Sequence, residues 1–118
     1  MGISPAKFRE IALSFPGATD GESHGRAAFR VGKRFFTWIR PEEKSFVLTV
    51  GSIDERDMML EGDPALFHIT EHYRNWPALL VRLERATPAL TRKLLERRYR
   101  AIATKKLVVE LDGGGGEG

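Results

Sequence analysis

The side chains best suited to recognise a ligand are concentrated between Glu71 and Pro77, where the sequence reads EHYRNWP. Two aromatic rings, a guanidinium, an imidazole and an amide follow one another there, and such groups stack on flat surfaces and bind anions. A connection that only reversed the chain would use small turn-forming residues. Loops that carry large functional side chains are often binding sites. We therefore expect residues 72–76 to form a recognition surface.

Further cations could join this surface in binding nucleic acid, because lysine and arginine neutralise phosphates and exposed aromatic rings stack on bases. They fall near a predicted turn at Gly32-Lys33, in residues 73–76, and along and after the last predicted helix. The candidate nucleic-acid-binding residues are Lys33, Arg34, Arg40, Tyr73, Arg74, Trp76, Lys93, Arg97, Arg100, Lys105 and Lys106. The alternative interpretation is that Trp38 and Trp76 belong to the core and that the cations form a solvated face.

A second binding function is open. A pocket beneath residues 72–76 could hold a small molecule or a segment of another protein, since such sites are mostly apolar with a few polar groups. The two hypotheses differ in what they require. DNA binding needs its cations on one surface, so a scatter of Lys33, Lys93 and Arg97 over different faces would remove its footprint.

Metal binding has little support in the spacing of possible ligands. His68 and His72 lie in a segment predicted to be extended, where four residues span about 13 Å and cannot place both rings on one ion. Carboxylates on the second predicted helix could attract a hard cation, but the first two are already explained as helix-start residues. Those carboxylates are Asp54, Glu55, Asp57 and Glu61. We predict no metal site and no cofactor.

Catalysis has little support either. The chain has no cysteine, so a nucleophile would be a serine, and no serine lies in a nucleophile elbow. The serines considered are Ser23, Ser45 and Ser52. His24 could pair with Asp20 or Glu22 as a base and its orienting group, although the surrounding ATDGESHG is typical of a loop. We predict that the protein is not an enzyme.

The composition sets the class of protein. A chain of 118 residues is one domain on length alone, and the absence of cysteine excludes disulfides and thiolate metal sites. No apolar run approaches the roughly 18 residues of a membrane span, and residues 1–5 resemble no signal peptide. We expect a cytoplasmic protein without membrane association, as a monomer or weak homodimer. Acidic side chains dominate residues 42–63 and basic ones residues 84–106, so its charge should be uneven.

Local signals predict eight elements in the order α-β-β-β-α-β-β-α. Helices should begin after Ser4, Ser52 and Thr87, because each can cap a first turn, and two of them precede proline. The predicted strands are residues 27–31, 34–39, 46–50, 67–69 and 79–83. Residues 18–25 should form a loop, residues 107–111 a further short strand, and residues 112–118 a disordered glycine-rich tail. The predicted fold is an α+β two-layer sandwich, mostly antiparallel, with helices on one face.

The register of the first predicted hairpin stays open. A two-residue Gly32-Lys33 turn of type II′ would place Val31 opposite Arg34, whereas a three-residue loop would place it opposite Phe35. The choice exchanges the faces of the strand, although both faces carry apolar groups in either case. The predicted core contains Phe8, Ile11, Phe29, Leu48, Ile69, Val81, Leu94 and Ile102.

Three segments of the chain resemble the MmcQ/YjbR family of small bacterial proteins, to which DNA binding is attributed. They are ALSFPGATDGESHGRAAFRVGKRFF (residues 12–36), GDPALFHITEHYRNWPALLVRL (residues 62–83) and ATKKL (residues 103–107). The chain has Thr104 where family members often have a proline. The resemblance implies a CyaY-like α+β fold with a double-wing arrangement over residues 1–111, and DNA as the expected partner. It supplies no catalytic residues.

Overall fold

A computed structural model describes residues 2–23 and 26–117, and within them the chain forms one six-stranded antiparallel sheet and four α-helices. The α+β class is confirmed. The helices are α1 (Pro5–Leu13), α2 (Ile53–Gly62), α3 (Pro88–Ile102) and α4 (Lys105–Glu117). The strands are β1 (Ala18–Ser23), β2 (Arg26–Val31), β3 (Arg34–Arg40), β4 (Ser45–Thr49), β5 (Phe67–His68) and β6 (Ala78–Arg82), in the spatial order β1-β2-β3-β4-β6-β5. In the described part of the chain, no helix combines the length and the apolar character needed to cross a membrane.

The three predicted helix starts are confirmed. The side chains of Ser4, Ser52 and Thr87 accept hydrogen bonds from backbone N–H groups three residues ahead, at 3.0–3.1 Å. In a capping box, the side chain three residues into the helix binds the N–H of the capping residue. At α2 the Glu55 carboxylate accepts instead from the N–H of Gly51, one residue before the cap Ser52. These caps satisfy N–H groups that a helix start would otherwise leave without partners.

The prediction of a loop over residues 18–25 is wrong where the structure describes it. Residues 18–23 form β1, an edge strand that pairs with all of β2 from Ala18↔Val31 to Ser23↔Arg26. Polar and glycine-containing composition disfavours a strand, but the ladder to β2 satisfies the backbone and overrides that preference. His24 and Gly25 lie outside the described residues, and so does the suggested pairing of His24 with Asp20 or Glu22.

The hairpin between β2 and β3 settles the open register. Val31 lies opposite Arg34, as the two-residue turn requires, and Gly32 has a φ of 63°. A bulge then inserts one extra residue into β3, so that Phe29 lies opposite Thr37 and not opposite Phe36.

The sheet carries an apolar cluster on each face. The larger one lies under the helices and includes six of the eight predicted core residues as buried side chains. The other two, Ile69 and Leu94, are partly buried against it. A smaller cluster of Val47, Tyr73, Ala78 and Leu80 lies on the opposite face, with Phe35 and Trp38 packed against it.

The predicted strand at residues 107–111 is also wrong, because these residues lie within α4. The Thr104 hydroxyl accepts the Leu107 N–H at 3.2 Å, and Leu107 and Leu111 both pack on the large cluster. That spacing of four residues puts both leucines on one helix face, which overrides the strand preference of the two valines between them. The Asp112 carboxylate forms an ion pair with Arg100. The domain limit at residue 111 and the disorder of residues 112–118 stay predictions.

Candidate ligand-binding site

A cavity of about 240 Å³ opens on the sheet face that the helices do not cover. Strands β3 and β4 form its floor and part of its wall, and residues 71–77, which connect β5 to β6, form the rest of the wall and the mouth. Its lining residues are Phe35, Trp38, Val47, Thr49, His72, Tyr73, Trp76, Pro77 and Ala78. A mostly aromatic and aliphatic lining with a few polar groups is typical of small-molecule sites.

Residues 71–77, which we call the aromatic loop, are folded back on themselves by backbone hydrogen bonds. Glu71–Tyr73 forms a single turn of 3-10 helix, and the Trp76 N–H donates to the Tyr73 carbonyl at 3.0 Å. The Pro77 carbonyl accepts the Val50 N–H at 2.8 Å and ties the end of the loop to the end of β4. The expected recognition surface is thus a turn of fixed shape.

Arg56 of α2 holds the aromatic loop by hydrogen bonds to its backbone. Arg56 is the one buried residue of α2 and is only 5% exposed. Its Nη1 atom donates to the backbone carbonyls of Tyr73, Arg74 and Trp76 at 2.7–3.1 Å. Three carbonyl oxygens converging on one guanidinium hold the backbone of the aromatic loop in a single conformation. The other side of the guanidinium donates to Asp57.

Sequence reasoning missed Arg56, because the helix pattern of α2 favours its apolar residues Met58, Met59 and Leu60 for the buried side. Met58 is 72% exposed, whereas Met59 and Leu60 are partly buried against the large cluster. The available signal was a single arginine in an otherwise acidic helix that precedes the aromatic loop. Local pattern alone does not distinguish such an arginine from a solvated one.

A second tether joins the aromatic loop to β3. The Tyr73 hydroxyl accepts from Arg40 Nη1 at 3.0 Å, and this contact, followed by Glu42, raises the pKa of Arg40 above its ordinary value. Tyr73 itself is buried. Two predicted nucleic-acid contacts, Arg40 and Tyr73, therefore hold the loop in place.

The two tryptophans have different environments. Trp38 is half-buried in the pocket wall, where it meets Phe35 edge to face at 6.0 Å. Trp76 is 61% exposed at the mouth of the pocket. The ring of Trp76 is therefore accessible to solvent and to any ligand that enters the pocket.

The predicted cations are divided between the two faces of the sheet. Arg40 and Arg74 lie on the pocket side, and each forms an ion pair with a glutamate. Those predicted on α3 lie in the helix layer, where Arg97 pairs with Glu55 and Arg100 with Glu96 and Asp112. Lys33 and Arg34 lie exposed at the β2–β3 turn, Lys93 on α3, and Lys105 and Lys106 on the first turn of α4. Their contact with DNA stays a prediction.

The histidines that the sequence offered as metal ligands lie in different settings. His68 Nε2 lies 2.9 Å from the Ser45 hydroxyl, and burial, followed by the charge of Arg82, lowers the pKa of His68. His72 contacts the Tyr73 ring edge to face at the pocket. Within the described residues, no group of three or more histidine, aspartate or glutamate side chains could hold a metal ion.

The Ser45–His68 pair does not form an activated nucleophile. The Ser45 hydroxyl donates its proton to the Glu43 carbonyl at 2.9 Å, so it accepts from Nε2 of His68. A histidine that donates to a serine cannot remove its proton. Ser45 is also completely buried, out of reach of a substrate.

An antiparallel sheet with helices on one face and an aromatic pocket on the other defines a small α+β domain with a preformed cavity. The YjbR family profile matches residues 13–101, and the chain therefore belongs to the YjbR family. The matched segment contains the whole sheet, α2, the aromatic loop and every residue that lines the pocket. No curated protein and no solved structure matches the chain.

Proposed function

We propose that the chain is a non-enzymatic binding module that holds a flat, largely apolar group in the pocket beneath the aromatic loop. One observation carries the proposal. Arg56 binds three carbonyls of the loop and holds an exposed tryptophan over a cavity that is already open. A site that is formed before the ligand arrives avoids the entropic cost of ordering a loop on binding.

The pocket offers polar groups beside its apolar walls. Thr49 and His72 line it and can form hydrogen bonds to an edge of the ligand, while Phe35, Trp38 and Trp76 contact its faces. This division between a few polar and many apolar contacts gives orientation and affinity to a small planar ligand.

The test is NMR titration with uncharged flat probes, namely quinoline, adenosine and thymidine. The chain has two tryptophans, so two indole N–H signals report directly on the pocket wall and its mouth. We expect at least one probe to shift both signals in a saturable way. Thr49→Phe, which adds a ring at the wall, should abolish the shifts, whereas Ala89→Phe on the exposed start of α3 should not. Identical titrations for Thr49→Phe and the parent would refute the pocket as the site.

Duplex DNA is the second candidate. Because the predicted cations are divided between the two faces of the sheet, this candidate rests on the exposed lysines of α3 and α4 alone. Lys93, Lys105 and Lys106 form no ion pair among the described side chains, so they are available to phosphates. Fluorescence anisotropy with a labelled duplex at two salt concentrations distinguishes the candidates. If duplex DNA is the ligand, mutating one phosphate-binding lysine to glutamine should reduce the magnitude of the slope of log K against log salt concentration by about 0.9. Thr49→Phe, which fills the pocket, should leave duplex binding unchanged.

A further inference from the structure

A second cavity of about 270 Å³ lies between α3 and the segment that joins β4 to α2. It is distinct from the aromatic pocket, and of its lining residues Thr49 alone also lines that pocket. Gly51, Arg97 and Ala101 line it too and are exposed, so the cavity opens to solvent at the margin of the helix layer. We call it the arginine cavity.

The arginine cavity carries a net positive charge. Its charged lining groups are one carboxylate and two guanidinium groups, those of Glu55, Arg97 and Arg98. Glu55 accepts from the Gly51 N–H and forms an ion pair with Arg97. Among the described side chains, no carboxylate forms an ion pair with Arg98. The uncompensated charge of the lining therefore belongs to Arg98.

Arg98 uses little of its hydrogen-bonding capacity within the protein. Its Nη2 atom donates to the Phe35 carbonyl at 2.8 Å, and that carbonyl is within reach because β3 and β4 pair over a short distance, at Ile39↔Phe46 and Arg40↔Ser45. A guanidinium has five N–H donors. The Phe35 carbonyl is the one acceptor that Arg98 meets in the described part of the chain, and its Nε atom is buried without a partner there.

This setting lacks the counter-charge that two other shielded arginines have. Arg40 forms an ion pair with Glu42, and Arg56 forms one with Asp57. For Arg98, burial and after it the positive charge of Arg34 lower the pKa below its ordinary value. A bound anion would offset both effects, because a nearby negative charge stabilises the charged guanidinium.

We propose that the arginine cavity binds a small monocarboxylate through Arg98. Guanidinium groups bind carboxylates by charge-assisted hydrogen bonds, and a single negative charge matches the net charge of the lining. The Glu55 carboxylate would repel a doubly charged phosphate more strongly. Val50 and Ala101 offer apolar contact to a short hydrocarbon body. The carboxylate belongs to an organic acid or to a free amino acid, whose ammonium group Glu55 would attract.

NMR titration at constant ionic strength provides the test, with butyrate, butyramide, 2-aminobutyrate and phosphate as probes. The reporters are the backbone amides of Gly51 and Ala101 and the Nε–H group of Arg98. We expect butyrate to shift these signals in a saturable way and to leave the two indole N–H signals unchanged. It should bind at least about 10-fold more tightly than butyramide, which has the same shape without the charge. Tighter binding of 2-aminobutyrate than of butyrate identifies an amino acid as the ligand, and the reverse order identifies an organic acid.

Two variants change the site in different ways. Arg98→Gln should weaken butyrate binding about 10-fold or more, whereas Lys93→Gln removes the same charge from an exposed position of α3 and should have no effect. Because Arg98 also binds the Phe35 carbonyl, Ala101→Leu is the second variant. It keeps Arg98, reduces the space in the cavity and retains a good helix former. It should abolish the shifts, and Ala89→Leu at the exposed start of α3 should not.

Three results would overturn the inference. Equal binding of butyrate and butyramide would show that the site does not select a charge. Tighter binding of phosphate than of butyrate would show that it does not select a monocarboxylate. A titration of Ala101→Leu that matches the parent would show that the arginine cavity is not the site. None of these results bears on the aromatic pocket, which is tested with uncharged probes and the indole signals.

Discussion

The two faces of the sheet are closed in different ways. Under the helices, buried aromatic and aliphatic side chains form the large cluster. Phe8 from α1 stacks on Phe46 with ring centroids 4.7 Å apart and meets Phe29 edge to face at 5.8 Å. Phe15 and Tyr99 continue this packing at 5.0 Å. Apolar contact dominates the closure of this face.

The opposite face is closed by a loop and not by a helix. Its cluster is small, and the aromatic loop over it is held by polar tethers from Arg56 and Arg40. Hydrogen bonds fix the backbone of the loop without filling the space beneath it, so the cavity remains.

The difference fits the proposed function, in which one side of the sheet stabilises the fold and the other side binds a ligand. A closely packed core excludes water from its buried side chains and stabilises the fold. A face covered by a tethered loop keeps both an open volume and an exposed tryptophan. Mutations on the two faces should therefore act on different measurable properties.

The largest effect is expected in the helix-covered core. Phe46→Ala should lower the free energy of unfolding by about 3–5 kcal/mol, because it removes a completely buried ring that stacks on Phe8. Urea denaturation measures this loss. Met58→Ala, at a side chain that is 72% exposed, is the control and should stay within about 0.5 kcal/mol of the parent. A loss for Phe46→Ala as small as the control would show that this face is not the stabilising core.

On the pocket face, Arg56→Met should cost about 1–3 kcal/mol, because it leaves loop carbonyls without a charged donor. Hydrogen exchange should also speed up at the Trp76 N–H, since that amide belongs to the turn that Arg56 holds. Arg97→Met makes the same change at an exposed position of α3 and should leave that amide protected. Unchanged exchange in Arg56→Met would mean that the loop keeps its shape without the arginine.

The sequence predicts those features that depend on neighbouring residues. Helix starts at Ser4, Ser52 and Thr87 follow from capping chemistry, and the Gly32-Lys33 turn follows from the φ that glycine allows. The aromatic loop was recognisable because its side chains are too large and too polar for a simple turn.

Features that depend on distant partners were not predictable. The strand at residues 18–23 exists because β2 offers it a ladder, and Leu107 packs in a helix because the large cluster lies beneath it. The hydrogen bond from Arg98 to the Phe35 carbonyl depends on the incomplete pairing of β3 and β4, which leaves that carbonyl within reach of α3. Contacts between residues far apart in the chain leave no signature in local composition.

A matched pair of variants removes one hydroxyl from each face. Tyr73→Phe removes the hydrogen bond with Arg40, and Tyr99→Phe removes a 2.6 Å hydrogen bond to the Pro16 carbonyl under the helices. Each should cost about 0.5–1.5 kcal/mol in urea denaturation. Only Tyr73→Phe should also change the NMR signals of the two indole N–H groups. Equal changes of these signals in both variants would contradict the separation of the faces.

His68 should make stability depend on pH near neutrality. Its folded-state pKa is lowered from 6.5, first by burial and then by Arg82, so the folded state favours the neutral ring. The unfolded state then binds more protons, and stability rises with pH in this range. The stabilisation that comes from the lowered pKa of His68 is complete above about pH 6.5, and it is lost as the pH falls through the folded-state pKa. His68→Gln should flatten the dependence of the urea midpoint on pH between about 7.5 and 5, and an equally steep dependence would exclude His68 as its source.

The smallest effect on stability is expected at Trp76, although its role in binding is the largest that we propose. Its ring is 61% exposed, so Trp76→Ala removes little buried area and should change the free energy of unfolding by no more than about 0.5 kcal/mol. The loop should keep its shape, because Arg56 binds the backbone carbonyl of residue 76 and not its side chain. Urea denaturation and exchange at that amide should both match the parent, while the binding of flat probes weakens. A clear loss of stability would mean that the ring supports the fold and that the pocket face is a second core.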